Sequence, residues 1–176
     1  MKSFFIRLIR RFGIVSLITM AQLIVPLVLP QPWSSINIIF IFLILFMLRQ
    51  GTGAVVWVAF GAAFFAELYT ATTFGIILFS LTISMLVSYW LFQYVFTNRS
   101  WYAAMAACLC GLTIYRILYT GLIFVTQWIA HLPSVPLLFL LRAYGWEAVL
   151  TTSLTGFLYL ILYALERPRV RLVLFR

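Results

Sequence analysis

The stretch MAACLCGLTIYRILYTGLIFVTQWI, residues 105–129, decides the fold, because Arg116 stands in the middle of an otherwise apolar run. A second run, AVVWVAFGAAFFAEL at 54–68, carries Glu67 one residue from its end. A charge at membrane depth costs several kcal/mol unless it is paired or hydrated, so each of these residues marks a functional or architectural position. The simplest way to satisfy both is to pair them.

Composition fixes the solvent. The 176 residues are 65% hydrophobic and 9% charged, with a mean hydropathy of +1.13. A soluble domain is about 45–50% apolar and about 25% charged, so no soluble domain fits beside the apolar runs. The net charge of +9 would suggest nucleic acid in a soluble chain. Here the basic residues gather at the ends of apolar runs, where they set topology, and no nucleic-acid partner is expected. Membrane lipid is the expected surroundings.

Proline, glycine and polar punctuation divide residues 1–176, one transmembrane helical domain, into six spans. They lie at about 13–29, 34–48, 53–68, 74–96, 102–130 and 146–165. About 17–25 residues cross a bilayer core; the second span is short and the fifth long. Pro26, Pro30 and Pro32 separate the first two, and Pro133 and Pro136 the last two. The first span lacks a small-x-small cleavage site before Pro26, so it reads as a retained span. With six spans, one side collects Lys2, Arg7, Arg10, Arg11, Arg49, Arg99, Arg167, Arg169, Arg171 and Arg176. The other side, with loops at 30–33, 69–73 and 131–145, holds only Arg142. Ten basic residues against one place both termini in the cytoplasm. The expected fold is therefore all-α, a polytopic membrane protein with six transmembrane helices in a compact bundle.

This topology matches the two charges in depth. Spans three and five run in the same direction, and Glu67 and Arg116 both fall roughly 21–23 Å above the inner boundary at about 1.5 Å per residue. An intramembrane Glu67–Arg116 pair follows, direct or through water. The alternative is separate snorkelling, Glu67 to the outer interface and Arg116 to a carbonyl or a lipid phosphate.

Small residues flank both charges at four-residue spacing. Span three offers Ala59 with Ala63 and Ala62 with Ala66; span five offers Ala103, Ala107 and Gly111. Such spacing lets helix backbones approach closely, within the bundle or against another protein. Segment 1–12 reads as a positive-inside anchor or a short interfacial helix that continues into the first span. Segment 166–176 reads as a basic cytoplasmic tail. Trp33, Trp57, Trp90, Trp101, Trp128 and Trp146 mostly mark span ends, as interfacial aromatics do.

Little here supports catalysis. Cys108 and Cys110 are spaced for neither a redox pair nor zinc, and His131 has no sequence partner for a metal. There is no Asp, and Glu67, Glu147 and Glu166 are the only acids. Glu166 belongs to the opposite side from Glu147. No catalytic residue, metal or cofactor is expected.

One resemblance bears on function. Pro30-Gln31-Pro32 opens a short span, followed by Arg49-Gln50-Gly51-Thr52-Gly53-Ala54, Ala63-Phe64-Phe65-Ala66-Glu67-Leu68 and Phe74-Gly75. This series over about residues 30–80 resembles the rod shape-determining MreD family, whose pattern runs proline, short helix, Gly-rich turn, Gly-x-x-x-acid helix end, short loop and a Gly opening the next helix. Ala63 stands where that pattern has Gly, Glu67 where it has Asp, and Phe74 where it has Pro or Leu. The turn Phe96-Thr97-Asn98-Arg99-Ser100 resembles one in MreD-like bacterial proteins. The resemblance implies six helices, a fold like the substrate-binding components of energy-coupling-factor transporters, and Glu67 and Gly75 as motif positions. It also implies a non-enzymatic scaffold in the bacterial inner membrane, working beside MreC-like partners in peptidoglycan elongation and cell shape. The alternative expectation is a membrane component that binds a small molecule for transport, with an outward pocket lined by Glu67, Tyr69, Arg142, Tyr144 and Glu147.

Overall fold

The computed structural model describes residues 2–70, 73–95, 100–131 and 137–171; the side chains of 2–12, 14, 137–139 and 166–171 are not described. The described residues form six α-helices and one short 3-10 turn, with no strand. The helices are α1 (Lys2–Val28), α2 (Ile38–Gln50), α3 (Ala54–Leu68), α4 (Ile76–Tyr94), α5 (Trp101–Ile129) and α6 (Leu137–Arg171), and the 3-10 turn, Trp33–Ser35, lies between α1 and α2. Three segments, Ile76–Tyr94, Trp101–Ile129 and Leu140–Leu165, are long and apolar enough to cross a membrane. The class is that of an all-helical membrane protein.

The sequence of α2 explains its place. IIFIFLILFMLRQ is apolar on every side until its last two residues, so each of its faces can pack against protein. Phe40, Leu43, Ile44 and Met47 are fully buried, and α2 touches α1, α3, α5 and α6. Both ends are capped by local chemistry. The Asn37 side chain accepts from the Phe40 amide at 3.1 Å, and Gly51 closes the helix in a left-handed conformation at φ 61°, where glycine carries no Cβ penalty.

Around α2, the most extensive contacts are α3 with α4, α4 with α5 and α5 with α6. The small residues make these possible. Ala59, Ala63 and Ala66 of α3 and Ala103, Ala107 and Gly111 of α5 are all buried inside the bundle. A third small stripe, Ser80, Ser84 and Ser88 on α4, is also fully buried. Ser84 Oγ donates to Leu81 O at 2.9 Å and Ser88 Oγ to Ser84 O at 2.7 Å. Bonding back to its own helix lets serine pack like a small apolar residue.

Several boundaries depart from the sequence expectation. The sixth helix begins at Leu137, not 146, so most of the expected 131–145 loop is helix and Arg142 lies within α6. Leu137 to Ala143 contains no breaker after Pro136, and proline is tolerated just before a helix. The helix also runs past the expected end at 165 through Arg171; residues 172–176 of the expected tail lie outside the described part. Segment 1–12 runs on into the first span, as expected, since α1 is continuous from Lys2. The second span starts at Ile38, because the 3-10 turn and the Asn37 cap occupy 33–37. The turn at 96–99, with Arg99, lies outside the described residues.

Helix lengths differ, and this shapes one end of the bundle. At about 1.5 Å per residue, α2 and α3 span only about 20 and 22 Å. Gly111 of α5 packs against Phe40 near the start of α2, yet α5 continues to Ile129. The long helices α5 and α6 therefore rise past the ends of α2 and α3 and leave a recess above them.

Candidate functional site

That recess holds the charged centre of the protein. Its floor and walls come from α1 (Gln22), the 33–37 segment, the end of α3 (Ala66, Thr70), the start of α4 (Ile77), α5 and α6. Arg116 rises from α5 five residues beyond Gly111. Its guanidinium bonds to Glu147 of α6 through both Nε and Nη2, each reaching Glu147 Oε2. The Glu147 side chain is 4% exposed and that of Arg116 31% exposed, so the acid is sealed while the base reaches the cavity. Asn37 Nδ2 donates to Glu147 Oε1 at 3.0 Å, which occupies the second carboxylate oxygen. The Asn37 amide donates to Thr151 Oγ1 at 3.1 Å, one turn further along α6. Gln22 joins from α1: its Oε1 accepts the Ile38 amide at 2.5 Å and its Nε2 donates to Ile36 O at 3.2 Å. One polar network thus links α1, α2, α5 and α6, and low dielectric strengthens each bond in it.

Aromatic rings complete the wall. Tyr119 lies about one turn further along α5 than Arg116, with its ring centroid 6.0 Å from Arg116 Cζ, at the outer limit of a cation–π contact. Tyr115 and Tyr119 stack at 5.8 Å, and Tyr115 also meets the Phe40 ring at 6.2 Å.

The expected Glu67–Arg116 pair is therefore corrected: each charge takes another partner. Glu67, 4% exposed, turns to the start of α4, where its Oε1 accepts the amides of Gly75 at 2.7 Å and Ile77 at 3.1 Å. Those donors lie only eight and ten residues away. A helix N-terminus presents unsatisfied N–H groups and a partial positive charge, which together suit a carboxylate. Local capping satisfies Oε1 of Glu67 with little chain to order, while Oε2 is buried without a hydrogen-bond partner among the described residues, and Arg116 is left to Glu147. The extended α6 makes that second pairing possible by placing Glu147 within a packed helix.

Gly75 itself needs to be glycine. It caps α4 at φ 102°, a conformation that burdens any residue with a Cβ. Glu67→Leu is expected to lower stability by about 1–3 kcal/mol, the cost of stranding buried amides. Glu67→Gln keeps an acceptor and is expected to fall between the two. Thermal unfolding of the purified chain in detergent measures both; a Leu variant as stable as the original would remove the capping account.

The other expected pocket residues scatter. Glu147 lines the recess. Arg142 lines a neighbouring cavity of about 490 Å³ with Trp146, Gln31, Pro32 and Ser35. Tyr144 instead bonds Thr113 through its hydroxyl at 2.6 Å, and Tyr69 is exposed. Cys108 is buried 3.4 Å from Thr155 Oγ1, and neither Cys108 nor Cys110 is in a disulfide. His131 is exposed at the end of α5 with φ 51°. Sequence reasoning missed Gln22, Asn37 and Thr151. Asn37 directly before an apolar run is a readable helix cap, but its bond to Glu147 spans 110 residues and leaves no local trace.

Comparisons with family models, curated proteins and solved structures return no match for this chain.

Proposed function

We propose that this chain is a six-span inner-membrane scaffold of the bacterial cell-shape and peptidoglycan elongation machinery, similar to MreD and acting without chemistry of its own. The observation that carries this reading is the bond between Glu67 and Gly75. The acid closing one helix and the glycine opening the next are the two motif positions of the resemblance, and the 2.7 Å contact between them gives that pattern a physical purpose. An acid there caps α4, and a glycine there allows the left-handed turn. The network of Gln22, Asn37, Arg116, Glu147 and Thr151 also ties separate helices together, as a scaffold requires.

In this reading both termini are cytoplasmic and the recess opens outward. Contact with partners is lateral, through exposed faces such as Phe79, Leu86 and Trp90 of α4. Affinity purification of the tagged full-length chain from bacterial membranes is expected to enrich an MreC-like protein, and Leu86→Arg is expected to reduce that enrichment. Recovery of a transport ATPase module in place of elongation proteins would favour the second reading, a substrate-binding transport component. The recess is the specific observation on that side, because a polar cavity between membrane helices is a common ligand site.

A further inference from the structure

The donors and acceptors of the recess do not balance. Glu147 is occupied on both oxygens, by Arg116 and by Asn37. Gln22 is engaged at both ends of its amide. Arg116 is different. A guanidinium carries five N–H donors; two go to Glu147, and the other three meet no acceptor among the described residues. The side chain is 31% exposed and lines the cavity. Ser34, Ser35, Tyr115 and Tyr119 also line it, and their hydroxyls make no hydrogen bond among the described residues. The lining is rich in free donors, and its one carboxylate is already filled.

Charge points the same way. Ser35 belongs to both this cavity and the adjoining one, where Arg142 stands beside Trp146. The residues lining these two neighbouring cavities include two guanidiniums, Arg116 and Arg142, and one carboxylate, Glu147; Glu67 is not among them and is bonded to the α4 amides. The lining itself therefore carries one more cation than acid, within walls of low dielectric that concentrate its field. A planar guanidinium with free N–H groups matches a carboxylate or phosphate in a forked geometry. The stacked Tyr115 and Tyr119 rings add a flat apolar surface beside it.

We propose that this recess binds a small soluble molecule bearing a carboxylate or phosphate, with Arg116 holding the anionic group and Arg142 supplying the surplus charge. The cavity beside Arg116 has a volume of about 270 Å³, near the lower edge of ligand pockets at about 300–1,000 Å³. That size suits a small molecule and cannot enclose the two chains of a diacyl lipid. The site goes beyond the scaffold role, which does not need it, and it does not depend on which partner the protein assembles with.

The test uses the purified full-length chain in an uncharged detergent, with thermal unfolding read by tryptophan fluorescence. Benzoate and inorganic phosphate are the anionic probes, benzylamine is the cationic control, and dihexanoyl phosphatidylglycerol represents a lipid headgroup. At least one free anion is expected to raise Tm saturably, and benzylamine is expected to do nothing. Arg142→Gln, at an exposed position on α6, is expected to fold normally and to weaken the response several-fold. The double variant Arg116→Gln/Glu147→Gln, which strands no charge, is expected to abolish it. No saturable rise with either free anion would overturn the proposal. So would an equal rise in all variants, or a rise with phosphatidylglycerol alone. Capture of MreC-like partners is a separate readout, so failure of this site leaves the scaffold reading standing.

Discussion

Arg116→Gln is expected to be the most damaging of the charge substitutions, lowering stability by about 3–5 kcal/mol, because it leaves a sealed carboxylate without its cation. The reverse change is milder. Glu147→Gln strands Arg116, but that side chain is 31% exposed against 4% for Glu147 and can reach water in the recess. The single effects are therefore unequal, and the double variant should cost less than their sum, since no charge remains unpaired. Adding Glu67→Gln to Arg116→Gln should bring no such relief, because Glu67 is bonded to the Gly75 and Ile77 amides. A double-mutant cycle on thermal stability measures each coupling. Coupling of Arg116 to Glu67 and none to Glu147 would reverse the assignment.

Gly111→Leu is expected to prevent accumulation of folded protein, and Gly111→Ala to cost about 1–3 kcal/mol, the usual range for overpacking a filled interior. A Cβ at this position would overlap Ser88 Oγ and come within 3.0 Å of Phe40 Cζ. Phe40 is fully buried in the surrounded helix α2, so it has nowhere to retreat. Gly121, on the same helix, has nothing within 4 Å of its Cβ position. Gly121→Ala should be neutral or stabilise slightly through helix propensity, by up to about 1 kcal/mol. Removing the serine oxygen should also help: Gly111→Ala with Ser88→Ala is expected to be more stable than Gly111→Ala alone. Folded yield by size exclusion and Tm report both comparisons. Equal loss at Gly111 and Gly121 would mean that close packing of α5 against α2 and α4 does not limit stability.

What could be read from the sequence follows from how local each signal is. The helices were legible because apolar runs and their punctuation are local. Gly51 as a stop and Gly75 as a turn are likewise single-residue signals with a backbone reason; Asn37 carries a cap signal of the same kind that the expected start at 34 passed over. The small residues were legible too, since spacing by four places them on one face. The start of α6 was not: Arg142, Tyr144 and Gly145 look like loop residues in a hydropathy reading, yet α5 and α6 extend together past the short helices and bury Glu147 between them. That error propagated to the charges. With Glu147 assigned to the edge of the bundle, depth matching left Arg116 only Glu67. Depth along a helix can be counted in residues, but which helices face each other cannot. The choice between a partner ten residues away and one on another helix rests on that unread geometry.

The most direct measurement of the account is side-specific cysteine labelling in a Cys108→Ala/Cys110→Ala background. One probe sits at Ser35 or Thr70, on the recess, and another at Thr52, in the turn between α2 and α3 at the opposite end. A membrane-impermeant maleimide added to intact spheroplasts is expected to label positions 35 and 70. Position 52 should react only after the membrane is opened. Labelling of position 52 from outside, with 35 and 70 protected until permeabilisation, would contradict an outward-facing recess and the cytoplasmic termini on which it depends.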